Sequence, residues 1–314
     1  VSAFAFQGTN AHVIVQCDGH MALSMHDNIA AHVTADCSYW VAPMTHPLVC
    51  RMWESDSYSS EHLGVVKMGC MLNRPLIDWV CDHQVSSRVV FPGAGYMEMA
   101  GSVSRVLAAA GSVGSTQTSV FCAVTSASIP MPLALRNPSE PGSVCELSVH
   151  VDLNQGSLAI RSGDAGTGTP GLHLRAVLHA TVPADRLEAD VQGDWPLHLG
   201  SFPRVGCNMP VESSAMYRAL HQVGLQYGPA FQVLAQVYTS AKGNAAWGHL
   251  TGHAESDESG MMVSPSLLDG CMQLGAALQR KETQSPDDRG SGGAKIPSGF
   301  AAYCISRRVD GRHV

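Results

Sequence analysis

Two stretches of this chain combine residue types and spacings that can do chemistry. In "DHQVSSRVVFPGAGYMEMA", Asp82 to Ala100, His83 precedes a short β-like run and then a Pro-Gly corner at Pro92 and Gly93. A neutral imidazole accepts protons near neutral pH. A glycine at a strand-to-helix corner lets a backbone N–H approach a carbonyl oxygen, with the positive end of a helix behind it. A lone histidine beside a strand also fits a satisfied core or surface residue. In "SPSLLDGCMQLGAALQ", Ser264 to Gln279, Asp269 and Gln273 stand one helical turn apart. Leu267, Leu268, Cys271, Met272, Leu274 and Leu278 make much of that helix apolar. Burial there would disfavour the ionised carboxylate and produce a general acid. The same Asp-Gln pair also fits a solvated stripe on an amphipathic helix.

The elements that must position these residues are legible as periodicities. Strand signals, bounded by Gly, Pro, Ser and Asn, occur in "LGVVKMGCML", "QVSSRVVF", "VCELSVHVDL" and "LHLRAVLHATV". They surround a helix read from Tyr96, where Met99, Ala100, Val103, Val106, Leu107 and Ala110 keep helical spacing. Later, "ESSAMYRALHQVG" reads as a helix with Glu212 or Ser213 near its start and Gly224 just past its end. Strand candidates "VLAQVYTSA" and "AAWGHLTG" follow, then the Asp269 helix with Ser264 as N-cap and Pro265 at its first position. A last strand follows Pro297. The chain thus divides into residues 46–183 and 211–314, each with strands around a helix, joined by a linker at 184–210. Before them lie a short segment, 1–16, and a linker, 17–45.

Hydrophobic residues make up 45% of the chain and charged ones 14%, which suits a packed core and excludes a disordered chain. A net charge of -7 with scattered Lys and Arg argues against a nucleic-acid partner. No apolar run approaches the roughly 18 residues of a membrane span. The 10 cysteines contain no C-x-x-C pair and read as free thiols in a reducing compartment, the cytoplasm or an organelle interior. The 15 histidines suggest no metal site. A chain beginning at Val1 reads as a piece of a longer polypeptide.

Three motifs in order resemble those of dehydratase domains in polyketide synthases and animal-type fatty acid synthases. "DHQVSSRVVFPGAGYMEMA" resembles the family's His-x3-Gly-x4-Pro motif through His83 and Pro92, with Ser87 where the family has Gly. "GLQYGPAFQ", Gly224 to Gln232, is similar to its Tyr-Gly-Pro-x-Phe segment. "LLDGCMQ" matches its Asp-x3-Gln/His motif through Asp269 and Gln273. The opening "GTNAHVIVQ" is similar to the C-terminal end of a ketosynthase domain, in which His12 is not a catalytic residue. Only residues 17–45 separate it from the dehydratase-like region, where an acyltransferase often lies.

The resemblance implies an α+β double hotdog fold, two sheets each wrapped around a central helix. It implies loss of water from a 3-hydroxyacyl thioester, with His83 as proton acceptor and Asp269 as proton donor. Gly93, after Pro92, would bind the thioester carbonyl, Gln273 would hold Asp269, and Tyr227 would add a hydrogen bond. No metal or redox cofactor is implied in this domain. The substrate would ride on the phosphopantetheine of an acyl carrier protein, with ketosynthase and ketoreductase domains as neighbours and a homodimer through the synthase. Ser87 would be strained if its position needs φ > 0. A product-template-like cyclase and a non-catalytic scaffold are the alternative readings.

Overall fold

The computed structural model describes residues 2–5, 10–12, 46–53, 65–72, 74–111, 121–135, 146–163, 171–179, 206–243, 245–251, 261, 263–279 and 296–306. The linker read at 17–45 and most of that at 184–210 lie outside the described residues.

The first part of the chain forms β1 (Ser2–Ala5), β2 (Asn10–His12), β3 (Arg51–Trp53) and β4 (Val65–Met71). Helix α1 (Arg74–Val80) then leads into a hairpin of β5 (His83–Val85) and β6 (Arg88–Val89), and into α2 (Gly93–Gly111). Strands β7 (Phe121–Ser128), β8 (Glu146–Asp152), β9 (Ser157–Gly163) and β10 (Gly171–His179) follow. The second part has β11 (Cys207–Val211), α3 (Ser213–Gln222), β12 (Leu225–Tyr227) and a 3-10 turn (Pro229–Phe231). It ends with β13 (Leu234–Ser240), β14 (Ala246–Leu250), α4 (Pro265–Gln279) and β15 (Pro297–Ser306).

Nine strands pair in the order β2-β1-β15-β7-β10-β9-β8-β4-β3, and β11-β13-β14 and β12-β5-β6 form two smaller sheets. Alternation places Leu147, Val149 and Val151 of β8, and Leu158 and Ile160 of β9, on the face that meets α2. From α2 come Ala94, Tyr96, Met97, Met99, Ala100, Val103 and Leu107, all buried. Each large side chain so buried contributes about 1.5–3 kcal/mol against remaining exposed. Helix α4 packs on β13, β14 and the 3-10 turn, and it also touches α2.

The two parts join through strands that occupy matching places in each. Strand β7 follows α2 and β15 follows α4, and the two pair antiparallel from Gly299↔Ser128 to Ser306↔Phe121. The Ile129 N–H extends the seam by donating to the Ser298 carbonyl at 2.7 Å. In the same way β5 follows α1 and β12 follows α3, and they pair with Tyr227 opposite His83.

Several boundaries differ from the sequence reading. Helix α2 begins at Gly93, because the Pro-Gly corner itself starts the first turn. Helix α1, with only seven residues, carries too short a pattern to stand out. Residues 207–210, read as linker, belong to β11, whose exposed Asn208, Met209 and Pro210 mask the strand alternation. Strand β15 lies in the large sheet beside β7, and β1 pairs with it in turn.

Candidate active site

The hairpin that carries His83 is built on a two-residue turn with positive φ at both central positions, Ser86 at 50° and Ser87 at 62°. Tight hairpins favour that backbone, and it normally selects Gly or Asn. Ser87 therefore bears the strain its motif position foretold. Two bonds from the second part of the chain hold the turn. The Ser86 N–H donates to the Gly224 carbonyl at 2.7 Å, and the Ser87 N–H to Gln226 Oε1 at 2.8 Å.

The same hairpin orients the imidazole. The Val90 N–H donates to the His83 carbonyl at 3.1 Å, while His83 Nδ1 lies 2.7 Å from the Val90 carbonyl. A carbonyl only accepts, so Nδ1 carries the hydrogen and Nε2 presents a lone pair when the ring is neutral. The spacing from His83 to Pro92 is thus that of one hairpin, which returns beside its own start two residues before the corner.

Asp82 docks the Tyr-Gly-Pro-x-Phe segment against this hairpin. Its Oδ2 accepts the Ala230 N–H at 2.8 Å, and its carbonyl accepts the Gly228 N–H at 2.7 Å. A Cβ on Gly228 would stand 2.4 Å from the Asp82 carboxyl carbon, so only glycine permits the approach. The docked turn buries Phe231 completely, with its ring 5.2 Å from Trp79 and 5.2 Å from His83. Tyr227 packs edge-on to His83 at 5.6 Å. Trp79 Nε1 also donates to Ser266 Oγ at 2.9 Å, tying α1 to the first turn of α4.

Asp269 sits on the other side of the imidazole, with its Oδ1 3.8 Å from His83 Nε2. Both side chains are buried, His83 at 7% exposure and Asp269 at 5%. The separation is too long for a direct hydrogen bond. Burial raises the Asp269 pKa above the usual 3.8, partly opposed by His83 and by the Gln273 hydrogen bond. Gln273 Nε2 donates to Asp269 Oδ2 at 2.8 Å and to the Phe231 carbonyl at 3.1 Å. Its Oε1 accepts from the Tyr217 hydroxyl at 3.0 Å, and that hydroxyl accepts the Leu234 N–H at 3.1 Å. Because Oδ2 is already an acceptor, a protonated Asp269 carries its hydrogen on Oδ1, the oxygen facing His83.

Burial pushes the Tyr217 phenol up to about 12, and burial, Asp269 and Tyr217 raise Tyr227 well above its ordinary value. Both phenols thus remain donors at neutral pH. They also line a groove of about 540 Å³ with Ser214, Arg218, His221, Gln222 and Gln232. Gly93 opens α2, where first-turn N–H groups have no acceptor within the helix. A Cβ there would meet only Ile129 and Phe300, at an ordinary 3.5 Å, so crowding by the protein does not explain the glycine. It is Gly95, two residues on, that packing demands, because a Cβ would lie 2.6 Å from the Phe91 ring.

The structure therefore brings His83, Asp269, Gln273 and Tyr227 together, with Pro92 and Gly93 at the end of the His83 hairpin. The solvated-stripe reading of Asp269 and Gln273 fails, since both are buried. Sequence reasoning missed Asp82, Tyr217 and Trp79. Asp82 adjoins the motif histidine and Phe231 lies within the quoted segment, but Tyr217 and Trp79 carry no local signal. No cluster of potential metal ligands occurs among the described residues, and no described helix is long and apolar enough to cross a membrane.

This architecture is that of the double hotdog dehydratases. The chain superposes on the dehydratase domain from the CurF module of the curacin polyketide synthase with a TM-score of 0.60, at 19% identity, covering 83% of this chain and 84% of that one. It matches GphF dehydratase 1 with a TM-score of 0.58, at 20% identity, covering 83% and 81%. The family model described as polyketide synthase dehydratase N-terminal domain matches residues 202–313. Among curated proteins, the highly reducing polyketide synthase resH of Aspergillus sclerotiorum is 29% identical over 214 residues, 65% of this chain and 8% of that protein. The mycoketide-CoA synthase of Mycobacterium tuberculosis is 29% identical over 240 residues, 74% of this chain and 5% of that protein. The chain is thus similar to the dehydratase domains of polyketide synthases, and it spans less than a tenth of either of these relatives.

Proposed function

We propose that this domain removes water from a 3-hydroxyacyl thioester held on an acyl carrier protein, giving the 2-enoyl thioester. One observation carries the reading: His83 Nε2, with Nδ1 held on the Val90 carbonyl, and Asp269 Oδ1, the oxygen that Gln273 does not bond, face each other 3.8 Å apart in a buried site. His83 Nε2 takes the α-proton while the thioester carbonyl is polarised by the Gly93 N–H at the start of α2. The Cβ–O bond breaks, and Asp269 Oδ1 gives its proton to the departing hydroxyl, which leaves as water. The cycle ends with His83 protonated and Asp269 ionised, and transfer of one proton between them restores the starting state. Two titrating groups with opposite demands are thereby served by two environments. Gln273 holds the acid, and Tyr227 offers a hydrogen bond to the substrate oxygen.

The carrier protein's phosphopantetheine presents the acyl chain, with ketosynthase and ketoreductase domains as neighbours in a dimeric synthase. Residues 1–16 are read as the end of the preceding ketosynthase. Among the described residues, Cys50, Cys70, Cys81, Cys207 and Cys271 take part in no disulfide, which suits the cytoplasm or an organelle interior. The test is hydration of a crotonyl thioester, the reverse reaction, by wild type, His83→Ala and Asp269→Asn. Activity in wild type and near-complete loss in both folded variants is expected. An inactive wild type would favour a scaffold, and turnover of a poly-β-keto mimic instead would favour a cyclase.

A further inference from the structure

A buried polar cluster outside the active site joins three separate parts of the chain. His46, Glu98 of α2 and Ser102 one turn later are exposed by only 2%, 0% and 2%. His46 Nδ1 accepts the Leu48 N–H at 3.2 Å, so Nε2 carries the ring hydrogen. That hydrogen is directed at Ser102 Oγ, 2.9 Å away, and at Glu98 Oε1, 3.1 Å away. The Ser102 hydroxyl in turn donates to Glu98 Oε1 at 3.1 Å. The other carboxylate oxygen, Oε2, accepts the Val263 N–H at 3.0 Å. Both Ser102 and Glu98 meet the same ring nitrogen while Nδ1 is occupied, so the three do not form a nucleophilic relay.

We infer that Glu98 is a positioning residue that fixes α4, and through it Asp269, against the start of α2. The inference rests on the proposed dehydration for its catalytic consequence, but not for its geometry. Glu98 lies five residues after Gly93 on the same helix, and so moves rigidly with the N–H that polarises the carbonyl. Val263, which it grips, precedes Ser264, whose carbonyl accepts the Leu268 N–H at 3.0 Å in the first turn of α4. Asp269 is the next residue. The carbonyl site and the acid belong to different helices, and the Glu98–Val263 bond is a directional contact between α2 and the segment that leads into α4. Apolar packing between α2 and α4 tolerates sliding, whereas a carboxylate bonded on both oxygens does not. A misplacement of about 1 Å can lower a rate by about 10²-fold.

The experiment compares Glu98→Ala, Ser102→Ala and wild type in crotonyl-thioester hydration and in deuterium uptake of the segment from Val263 to Asp269. For folded Glu98→Ala, kcat should fall at least tenfold while KM stays within about threefold, and uptake in that segment should rise. On the Asp269→Asn background the same substitution should cause no further loss, because the acid it positions is gone. Unchanged kcat, or an equal loss on that background, would overturn the inference. If Glu98→Ala does not fold, Ser102→Ala decides. It leaves the Val263 bond in place and only loosens the carboxylate, so a several-fold lower kcat with normal KM supports the role and wild-type kcat refutes it. Should wild type itself show no hydration, the reaction proposed above fails, and uptake alone judges the clamp: faster exchange in either variant supports it, and unaltered exchange overturns it.

Discussion

At the scale of single residues, the site separates a base from an acid by giving each a different set of partners. Loss of a positioned acid or base costs about 10²–10⁴-fold, so His83→Ala and Asp269→Asn should each lower kcat by at least a hundredfold with the fold intact, as thermal melts would verify. The buried carboxylate also leaves a signature in stability. Its pKa in the folded chain lies above the ordinary 3.8, so the folded state binds its proton more tightly than the unfolded state. Stability therefore falls as pH rises from the unfolded value through the folded one, and then levels off. Asp269→Asn should raise the melting temperature at a pH above the folded pKa, where wild type would hold a buried charge, and give no such gain at pH 3. A gain of equal size at both pH values would mean that packing, not ionisation, is responsible. For catalysis the sign is the same, since activity should decline with rising pH once Asp269 loses its proton. Ser87 offers a third test. At φ 62° a glycine relieves strain, so Ser87→Gly should stabilise the domain by about 0.5–1 kcal/mol in urea unfolding, after the entropy of the freer unfolded chain is subtracted.

At the scale of elements, the site depends on how a hairpin, a 3-10 turn and a helix are docked together. Asp82 links the first two by accepting the Ala230 N–H and by lying where a side chain on residue 228 would go. Gly228→Ala should destabilise by about 1–3 kcal/mol through overpacking. Asp82→Ala should also destabilise, by leaving a part-buried N–H without its charged acceptor. The two substitutions share one contact, so the double variant should lose less than the sum of the single losses. Additive losses in a double-mutant cycle would show that the two residues act separately. Activity should follow the same pattern, because the displaced turn carries Phe231 and Tyr227, both packed on the imidazole.

At the scale of the whole molecule, the two parts complete each other. Strand β7 of the first pairs with β15 of the second, and β5 pairs with β12, so either part alone exposes unpaired strand edges. Each part also holds only one member of the His83 and Asp269 pair. Cleaving the gene within the segment 180–205 should therefore give fragments that are inactive and aggregate when expressed singly. Co-expression should recover soluble, active protein, measured by co-purification and crotonyl-thioester hydration. A soluble, monomeric first fragment would contradict this account of the seam. The form of the substrate is tested at the same scale. Tethering raises effective concentration, so a carrier-protein 3-hydroxyacyl thioester should exceed its coenzyme A counterpart about tenfold or more in kcat/KM, about 1.4 kcal/mol of transition-state stabilisation. Equal efficiency would point to a stand-alone hydratase.

The sequence by itself determined which short segments matter, because each motif is a local device. The spacing from His83 to Pro92 is one hairpin long, and Asp269 and Gln273 face the same way because a helix repeats every turn. Gly228 and Pro229 mark a tight turn wherever they occur. Local pattern also revealed strands around two helices, since burial on one face imposes a period. Only the tertiary structure decided that Asp269 is buried rather than solvated, and that Oδ1 is the oxygen turned toward His83. Those facts depend on Tyr217, which bonds Gln273 and is itself bonded by the Leu234 N–H, and on the Phe231 carbonyl, and no spacing in the sequence shows that these groups converge on Gln273. The same holds for the β7–β15 seam and for Glu98 on Val263. A strand's period shows which face is covered but not which neighbour lies along its edge, and a buried carboxylate's partner is chosen by the path of the chain in space.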